Sequence, residues 1–362
     1  MINLKIDNTE LSVPEGSTIL QAAQIAGVMI PTLCHREGVE TYSSCMVCLV
    51  KDLRKNTFIP SCSALAQDGM IIEASGEEVT AMRKKAVELL LYEHRAECEA
   101  PCRIVCPEGY NIPLMNRFLV EENFEAATDL VRSETMHEEI RCIKCKGYCE
   151  NACRRKKIDQ AISIRNIRLF IFNNIVHERA RAAVKEHFKE EDKNINNKSE
   201  SHIRNRFSSR IGRIEEVELR EMLKECTGDG RRLSVIKDFM SASKEAGNCM
   251  HCDCRAAEDC KLRKLAEDLA VKDPSGKLVN TPLSKKINHS SGLIFENGKC
   301  IKCGLCVRVC EDSSETPSLC FVNRGFISVI TEPLTEEFEN ILSKQAGLCV
   351  KVCPTGALTM KK

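Results

Sequence analysis

The chain has no tryptophan, and aromatic residues make up only 4% of its 362 residues. Large rings therefore contribute little to its cores, and metal ligation is a ready alternative source of stability. No run is apolar enough to span a bilayer. The longest uncharged stretch, Gly16 to Cys34, contains Gln21, Gln24, Gly27 and Pro31 and reads as a helix plus a loop. Met1 to Asp7 has no basic segment followed by an apolar one, so no signal peptide is expected and the chain reads as cytoplasmic. The formal net charge is +1, without the basic excess that a nucleic-acid partner calls for. No G-x-G-x-x-G loop, HEXXH pair or nucleophile elbow occurs, so the sequence offers no flavin, nicotinamide or hydrolytic site.

Against these gaps stand 23 cysteines. A reducing compartment disfavours disulfides, and thiolates are soft ligands suited to zinc or iron–sulfur clusters. The cysteines fall into several unlike sets in series. A row of unlike redox cofactors is what an electron wire requires.

The first set is Cys34, Cys45, Cys48 and Cys62, spaced C-x10-C-x2-C-x13-C. Around it, Ile2, Leu4 and Ile6 alternate with polar residues, Asp7 to Glu10 can turn, and Leu11 and Val13 resume the alternation, which predicts a β-hairpin. Ser17 or Thr18 can cap a helix over roughly 19–27, and Val47 to Leu53 and Met70 to Ala74 are strand candidates. This pattern resembles the β-grasp fold of plant-type ferredoxins, whose first cysteine gap is shorter. With its ten-residue gap, and with "IPTLCH", "CMVCLV", "PSC" and "DGMII", residues 1–93 resemble the N-terminal [2Fe–2S] domain of the large iron–sulfur subunit of complex I, of [FeFe]-hydrogenases and of some formate dehydrogenases. A structural zinc site is the plainer alternative, but zinc favours paired C-x2-C knuckles, and Cys34 and Cys62 are single.

A helix from Glu77 to Tyr92, with Val79, Met82, Ala86, Leu89 and Leu90 on one side, leads to His94, Cys98, Cys102 and Cys106 at four-residue steps. After a helical stretch from Leu114 to Val131 come Cys142, Cys145, Cys149 and Cys153. Seven thiolates and one imidazole suffice for two [4Fe–4S] clusters. "CPEGYNIPLMNRFLVEENFEAATDLV" and "CKGYCENACRRKKIDQAISIRNIRLF" resemble the α-helical cluster domain of the glutamate synthase small subunit and of dihydropyrimidine dehydrogenase. The resemblance implies His94, Cys98, Cys102 and Cys153 for one cluster and Cys106, Cys142, Cys145 and Cys149 for the other. His94 departs from those relatives; the complex I subunit uses a histidine so placed. Otherwise His94 is a helix-end residue interacting with the last carbonyls. The helix from Ile164 to Arg181 runs on where those flavoenzymes have a strand and a dinucleotide loop.

Lys185 to Ser209 reads as a solvated linker, 213–243 as helical with Cys226 a small buried hydrophobe. Cys249, Cys252, Cys254 and Cys260 place four thiolates within twelve residues, Cys260 opening the basic helix "CKLRKLAEDL". Compact four-cysteine sites are commonly zinc, and iron–sulfur is the other candidate. His251 reads as a surface residue. "GKCIKCGLCVRVC" and "CVKVCPTGAL" resemble bacterial ferredoxins and the dicluster domain of the complex I and hydrogenase chains, which implies one [4Fe–4S] on Cys300, Cys303, Cys306 and Cys353. The second motif is incomplete, with Ala346 or a neighbour where cysteine is needed. That leaves Cys310, Cys320 and Cys349 as thiols, or as a pair packed in the vacated pocket.

The expected architecture is α+β and multidomain: a β-grasp domain over 1–76, an α-helical domain with two [4Fe–4S] clusters over 77–183, a polar linker and helical segment over 184–246, a four-cysteine metal site with its helix over 247–275, and a ferredoxin-like domain over 290–362. The resemblances imply one [2Fe–2S], three or four [4Fe–4S] clusters, and zinc as the alternative at 249–260. They further imply an electron-transfer subunit between a flavoprotein NAD(P)H-oxidising subunit and a terminal oxidoreductase, namely a hydrogenase, a formate dehydrogenase or a ferredoxin-linked enzyme. Because the chain stops just after the last ferredoxin module, catalysis is expected on another subunit. A redox sensor or assembly protein, an enzyme with an unrecognised substrate site, and a zinc scaffold are the rival readings.

Overall fold

The alternation at the N-terminus folds as its pattern predicts. In the computed structural model, which describes residues 1–95, 97–135, 141–186, 216–271, 283–312, 317–342 and 344–361, β1 (Ile2–Ile6) and β2 (Thr9–Val13) form an antiparallel hairpin with Ile2 opposite Val13. Asp7 takes a positive φ in the turn. Thr18 caps α1 (Ile19–Ile25) through a capping box with Gln21. Strands β3 (Leu49–Asp52), β4 (Thr57–Pro60) and β5 (Ile71–Glu73) complete a sheet of order β2-β1-β5-β3-β4, in which β1 and β5 run parallel. The sheet buries Leu4, Ile6, Val13, Val50 and Ile72 against Ile19 and Leu20 of α1. Cys48 and Cys62 belong to this core and anchor the cysteine loop to it.

Helix α2 (Glu77–Glu93) has a different buried face from the one expected. Val79, Arg83, Ala86, Val87 and Leu91 are buried, whereas Met82 and Leu89 are exposed. The rotation serves Arg83, whose Nε donates to the Leu49 carbonyl at 2.9 Å and pins the helix to β3.

The chain divides into two units, one of Met1–Ala96 with Arg255–Lys362, the other of Glu97–Cys254. This division cuts across the boundaries read from sequence: α2 falls with the β-grasp sheet, and Cys249, Cys252 and Cys254 fall with the helical unit.

The helical unit contains α3 (Pro101–Ile104), α4 (Ile112–Val120), α5 (Phe124–Glu134), α6 (Tyr148–Asn151), α7 (Ile164–Glu186), α8 (Glu216–Leu223) and α9 (Phe239–Ala246). The stretch read as one helix from Leu114 to Val131 is two. Glu122 adopts a positive φ and Asn123 caps α5, its side chain accepting from the Ala126 amide, so the chain turns there. Met115, Leu119, Ala127, Val131, Ile167 and Ile171 form the core. Of the expected linker, residues 187–215 lie outside the described residues.

The chain then returns to the first unit with α10 (Lys261–Asp268), β6 (Lys285–Ile287), β7 (Leu293–Glu296), α11 (Leu305–Asp312), β8 (Cys320–Val322), β9 (Val329–Thr331), α12 (Ala346–Val352) and β10 (Leu358–Met360). Strands β10, β7 and β6 make a three-stranded antiparallel sheet, β8 and β9 a two-stranded one. Among the described residues no helix is long and apolar enough to cross a membrane.

Candidate iron–sulfur sites

In the first unit, Cys34, Cys45, Cys48 and Cys62 are all buried. Cys48 and Cys62 sulfurs are 3.3 Å apart, and Ser43 Oγ lies 3.5 Å from Cys62 Sγ. Sulfur–sulfur hydrogen bonds from Cys45 and Cys62 hold the Cys34 thiol well below its usual range, and the same crowding pushes Cys45 and Cys62 above theirs. Four thiols so close that they must share charge are a donor set suited to a cation-rich cluster. Ser43 and Met46 adopt positive φ, which folds the loop tightly around this set.

The second set of this unit is Cys300, Cys303, Cys306 and Cys353. Cys303 shortly precedes α11, Cys306 lies in its first turn, and Cys353 ends α12. Burial pushes Cys300 and Cys303 up to about 12 and Cys306 well above its usual value, and each of the three is raised further by the negative charge of Cys353. Cys353 is thus close enough for its charge to act on the other three sulfurs. Lys302 and Gly304 take positive φ between them, and the Lys302 amide donates to Cys300 Sγ at 3.3 Å. The two sets are neighbours: the Cys34 thiolate is among the charges that raise Cys303. Between them lies Arg308, 2% exposed, whose Nη2 donates to the Cys34 carbonyl at 3.1 Å and to the Cys303 carbonyl at 2.8 Å. Its guanidinium also donates to the Glu40 carbonyl and stacks on the Tyr42 ring at 4.3 Å.

His94 closes α2, as the helix-end reading supposes, but its imidazole does not interact with that helix's own carbonyls. Nδ1 donates to the Lys299 carbonyl at 2.9 Å, next to Cys300 in sequence. Burial lowers the ring to about 4, so it is neutral at pH 7, and the tautomer fixed by Lys299 leaves Nε2 as a lone pair. That is the state a metal-ligating histidine needs. In the same unit Cys260 caps α10, its sulfur accepting from the Arg263 amide at 3.4 Å and lying 3.7 Å from the Pro354 carbonyl.

The helical unit brings its cysteines into two groups. Cys102 on α3, Cys153 after α6, and Cys249 and Cys252 after α9 line one enclosed cavity. Burial raises the Cys102 thiol well above its usual value, and Cys249, Cys252 and Cys153 raise it further. Burial also pushes Cys249 up to about 12, partly countered by the nearby Asn116 amide. Asn116 is fully buried on this cavity, and neither atom of its amide meets a protein partner in hydrogen-bond geometry. An amide stranded in this way fits a cluster sulfur that it could face. The second group is Cys106, Cys142 and Cys145, which line a more open cavity, with Cys149 raised to about 12 by burial and, further, by Glu150, Cys106 and Cys142. Arg168, stacked on Tyr110 at 3.6 Å and paired with Glu134 at 2.8 Å, sets a positive charge beside Cys142.

Of the second implied set, Cys106, Cys142 and Cys145 line one cavity, and Cys149 lies near enough for Cys106 and Cys142 to raise it. Cys102 and Cys153 are grouped as well, but with Cys249 and Cys252, which sequence reasoning placed in a separate compact site. Cys98 is not on that cavity; its carbonyl accepts from the Cys254 amide at 3.2 Å. His251, expected at the surface, is buried. Asn116, Arg168 and Arg308 carry no signal in the sequence; each acts across a fold contact that leaves no local pattern. Among the described residues, no three His, Cys, Asp or Glu side chains gather around a single-ion site; in the helical unit the sulfurs line cavities instead.

These features define a multidomain α+β iron–sulfur protein, and comparison with known families agrees. Residues 1–77 match the 2Fe-2S iron–sulfur cluster binding domain, 85–180 the dihydropyrimidine dehydrogenase domain II, 4Fe-4S cluster, and 293–359 the NADH-quinone oxidoreductase subunit 3, ferredoxin-like domain. The chain thus carries [2Fe–2S] and [4Fe–4S] ferredoxin-type domains. Among curated relatives, it is 30% identical over 168 residues to the NADP-reducing hydrogenase subunit HndD of Solidesulfovibrio fructosivorans, covering 42% of this chain and 28% of the relative. It is 32% identical over 108 residues to the mitochondrial NADH-ubiquinone oxidoreductase 78 kDa subunit of Candida albicans, covering 30% and 14%. A third relative, the NADPH-Fe(3+) oxidoreductase subunit alpha of Geobacter sulfurreducens, is 32% identical over 116 residues, covering 32% and 13%. In each case the chain spans less than a third of the relative's length. In fold it is similar to a solved NAD+-reducing [NiFe]-hydrogenase in the H2-reduced state, with a TM-score of 0.50 and 15% identity over 99% of this chain and 87% of that one.

Proposed function

We propose that the chain is an electron-transfer subunit that relays electrons between a flavin-containing NAD(P)H-oxidising subunit and a terminal oxidoreductase. The observation that carries this reading is the adjacency of two unlike donor sets in one unit: Cys34, Cys45, Cys48 and Cys62 beside Cys300, Cys303, Cys306 and Cys353, with Arg308 hydrogen-bonded to both. Bound there, a [2Fe–2S] and a [4Fe–4S] cluster supply one-electron chemistry. The protein's own part is to fix their separation, exclude water and set the local charge. The relatives' names, a hydrogenase subunit and subunits of NADH and NADPH oxidoreductases, support the class of complex.

In the helical unit we assign Cys102, Cys153, Cys249 and Cys252 to one [4Fe–4S] cluster and Cys106, Cys142, Cys145 and Cys149 to another. This replaces both His94 and Cys98 in the set implied by family resemblance and favours iron–sulfur over zinc at Cys249 and Cys252. Both sites draw on the same two short segments, because Cys102 and Cys106, like Cys149 and Cys153, are one helical turn apart. His94, now outside these four-cysteine sets, is assigned through Nε2 to a further [4Fe–4S] cluster, the fourth of the chain.

The test is to mix the anaerobic chain with a reduced flavoprotein partner and follow its cluster absorbance. Reduction that depends on the partner supports a relay. Rapid NAD(P)H oxidation by the chain alone would instead support an enzyme with its own substrate site.

A further inference from the structure

Cys310 and Cys349 are the two cysteines that the C-terminal donor set leaves over on α11 and α12. Both are completely buried, and their sulfurs are 3.2 Å apart. Each stands one helical turn from a residue of that set, Cys310 from Cys306 and Cys349 from Cys353. Cys349 Sγ also lies 3.6 Å from the Cys306 carbonyl. On α12, one turn before Cys349, stands Ala346, 3% exposed, so that position adds no sulfur. Two thiols are too few for a [4Fe–4S] cluster, which takes four cysteines.

We propose that Cys310 and Cys349 form a two-electron dithiol–disulfide couple beside the C-terminal iron–sulfur site. On oxidation the two S–H bonds break and one Sγ–Sγ bond forms. Two protons leave to solvent, and two electrons pass through the oxidised C-terminal centre, one staying there and one moving on to the neighbouring oxidised [2Fe–2S] centre. Reduction is the reverse, with the two reduced centres each giving one electron. A disulfide bond is about 2.05 Å long, so the sulfurs need approach by only about 1 Å. Because the pair is buried, soluble thiols cannot reach it for exchange, and electrons have to arrive through the neighbouring site. A chain handling one-electron centres gains in this way a store for two electrons. The proposal rests on the relay reading for its electron source, and the experiment reads the two separately.

The full chain, purified anaerobically with its iron, is held at a series of potentials, quenched in acid, unfolded and alkylated, and its peptides are identified by mass spectrometry. The expected result is a Cys310–Cys349 linked peptide at oxidising potentials and two alkylated cysteines at reducing ones. Alkylation of both residues at every potential would overturn the couple, even with all the iron in place. In parallel, the Cys310→Ala/Cys349→Ala variant should keep its iron and take up about two fewer electrons per chain in a reductive titration. Equal electron uptake, or a loss of iron in the variant, would overturn the proposal. Should the variant fail to fold, the peptide measurement on the unaltered chain decides alone. Iron content measured on the same samples shows that the clusters are present, and partner-dependent reduction of those clusters tests the relay reading independently.

Discussion

The carbonyl oxygens of Cys34 and Cys303, 269 residues apart in the chain, accept hydrogen bonds from the same nitrogen of Arg308. One side chain thereby ties the loop of the β-grasp donor set to the loop of the C-terminal set. It also places a buried positive charge beside two groups of thiolates.

That charge favours the reduced, more negative state of both sites. Arg308→Ala should therefore shift both potentials to more negative values. Loss of its hydrogen bonds should also destabilise the chain by roughly 2–4 kcal/mol. Arg308→Lys, which keeps the charge without the fork, should restore the potentials in part and the stability less. Redox titration followed by electron paramagnetic resonance, together with denaturant unfolding, checks both effects.

His94 should behave as a neutral ligand. His94→Cys is expected to retain the cluster and lower its potential, since a thiolate donates more negative charge than an imidazole; His94→Ala should lose or weaken it. Unchanged iron and unchanged titration in both variants would reduce His94 to a buried helix-end residue. A pH effect follows from its burial. The folded ring titrates at about 4, below the ordinary value of 6.5. The unfolded chain then binds a proton that the folded chain refuses, so stability falls as pH drops from about 6.5 towards about 4. The contribution should be absent from His94→Gln, as unfolding midpoints at pH 7 and pH 5 would show.

Cys249→Ser and Cys102→Ser should abolish the same [4Fe–4S] signal, because both side chains line one cavity with Cys153. Cys106→Ser should abolish a different one. Separate signals lost in the Cys249 and Cys102 variants would return Cys249 to a site of its own.

Cys353→Ser should remove the C-terminal [4Fe–4S] signal, since its charge acts on Cys300, Cys303 and Cys306 alike. Cys349→Ser should leave that signal in place. Loss of a cluster in the second variant would make Cys349 a ligand.

The β-grasp unit is legible because its signals are local: alternation in β1 and β2, Thr18 before α1, and a cysteine spacing fixed by one loop. Strand β4 leaves no such signal, its four residues ending in Pro60 and offering no alternation to read. The face of α2 defeats its apolar pattern because a buried arginine, not a leucine, docks it. The set of Cys102, Cys153, Cys249 and Cys252 cannot be read from spacing. Its members come from three segments up to 150 residues apart, and Cys249 and Cys252 sit in a run that by itself looks like a compact metal knot. The role of Lys299 in holding His94 is equally hidden, since the contact joins residues 205 positions apart.

Metal content bears on every site together. The anaerobic chain should hold about 14 irons, for one [2Fe–2S] and three [4Fe–4S] clusters, or about 18 with a fourth. Stoichiometric zinc with little iron would exclude a wire of any kind.

The relay itself is tested most directly by freeze-quench electron paramagnetic resonance of the chain in complex with its flavoprotein partner, started with reduced pyridine nucleotide. The [2Fe–2S] and [4Fe–4S] signals should appear within the turnover time of the complex. Substituting Cys48 should slow the electrons that travel through the first site. Clusters that stay oxidised while the complex turns over, or that are reduced by pyridine nucleotide without the partner, would contradict a relay.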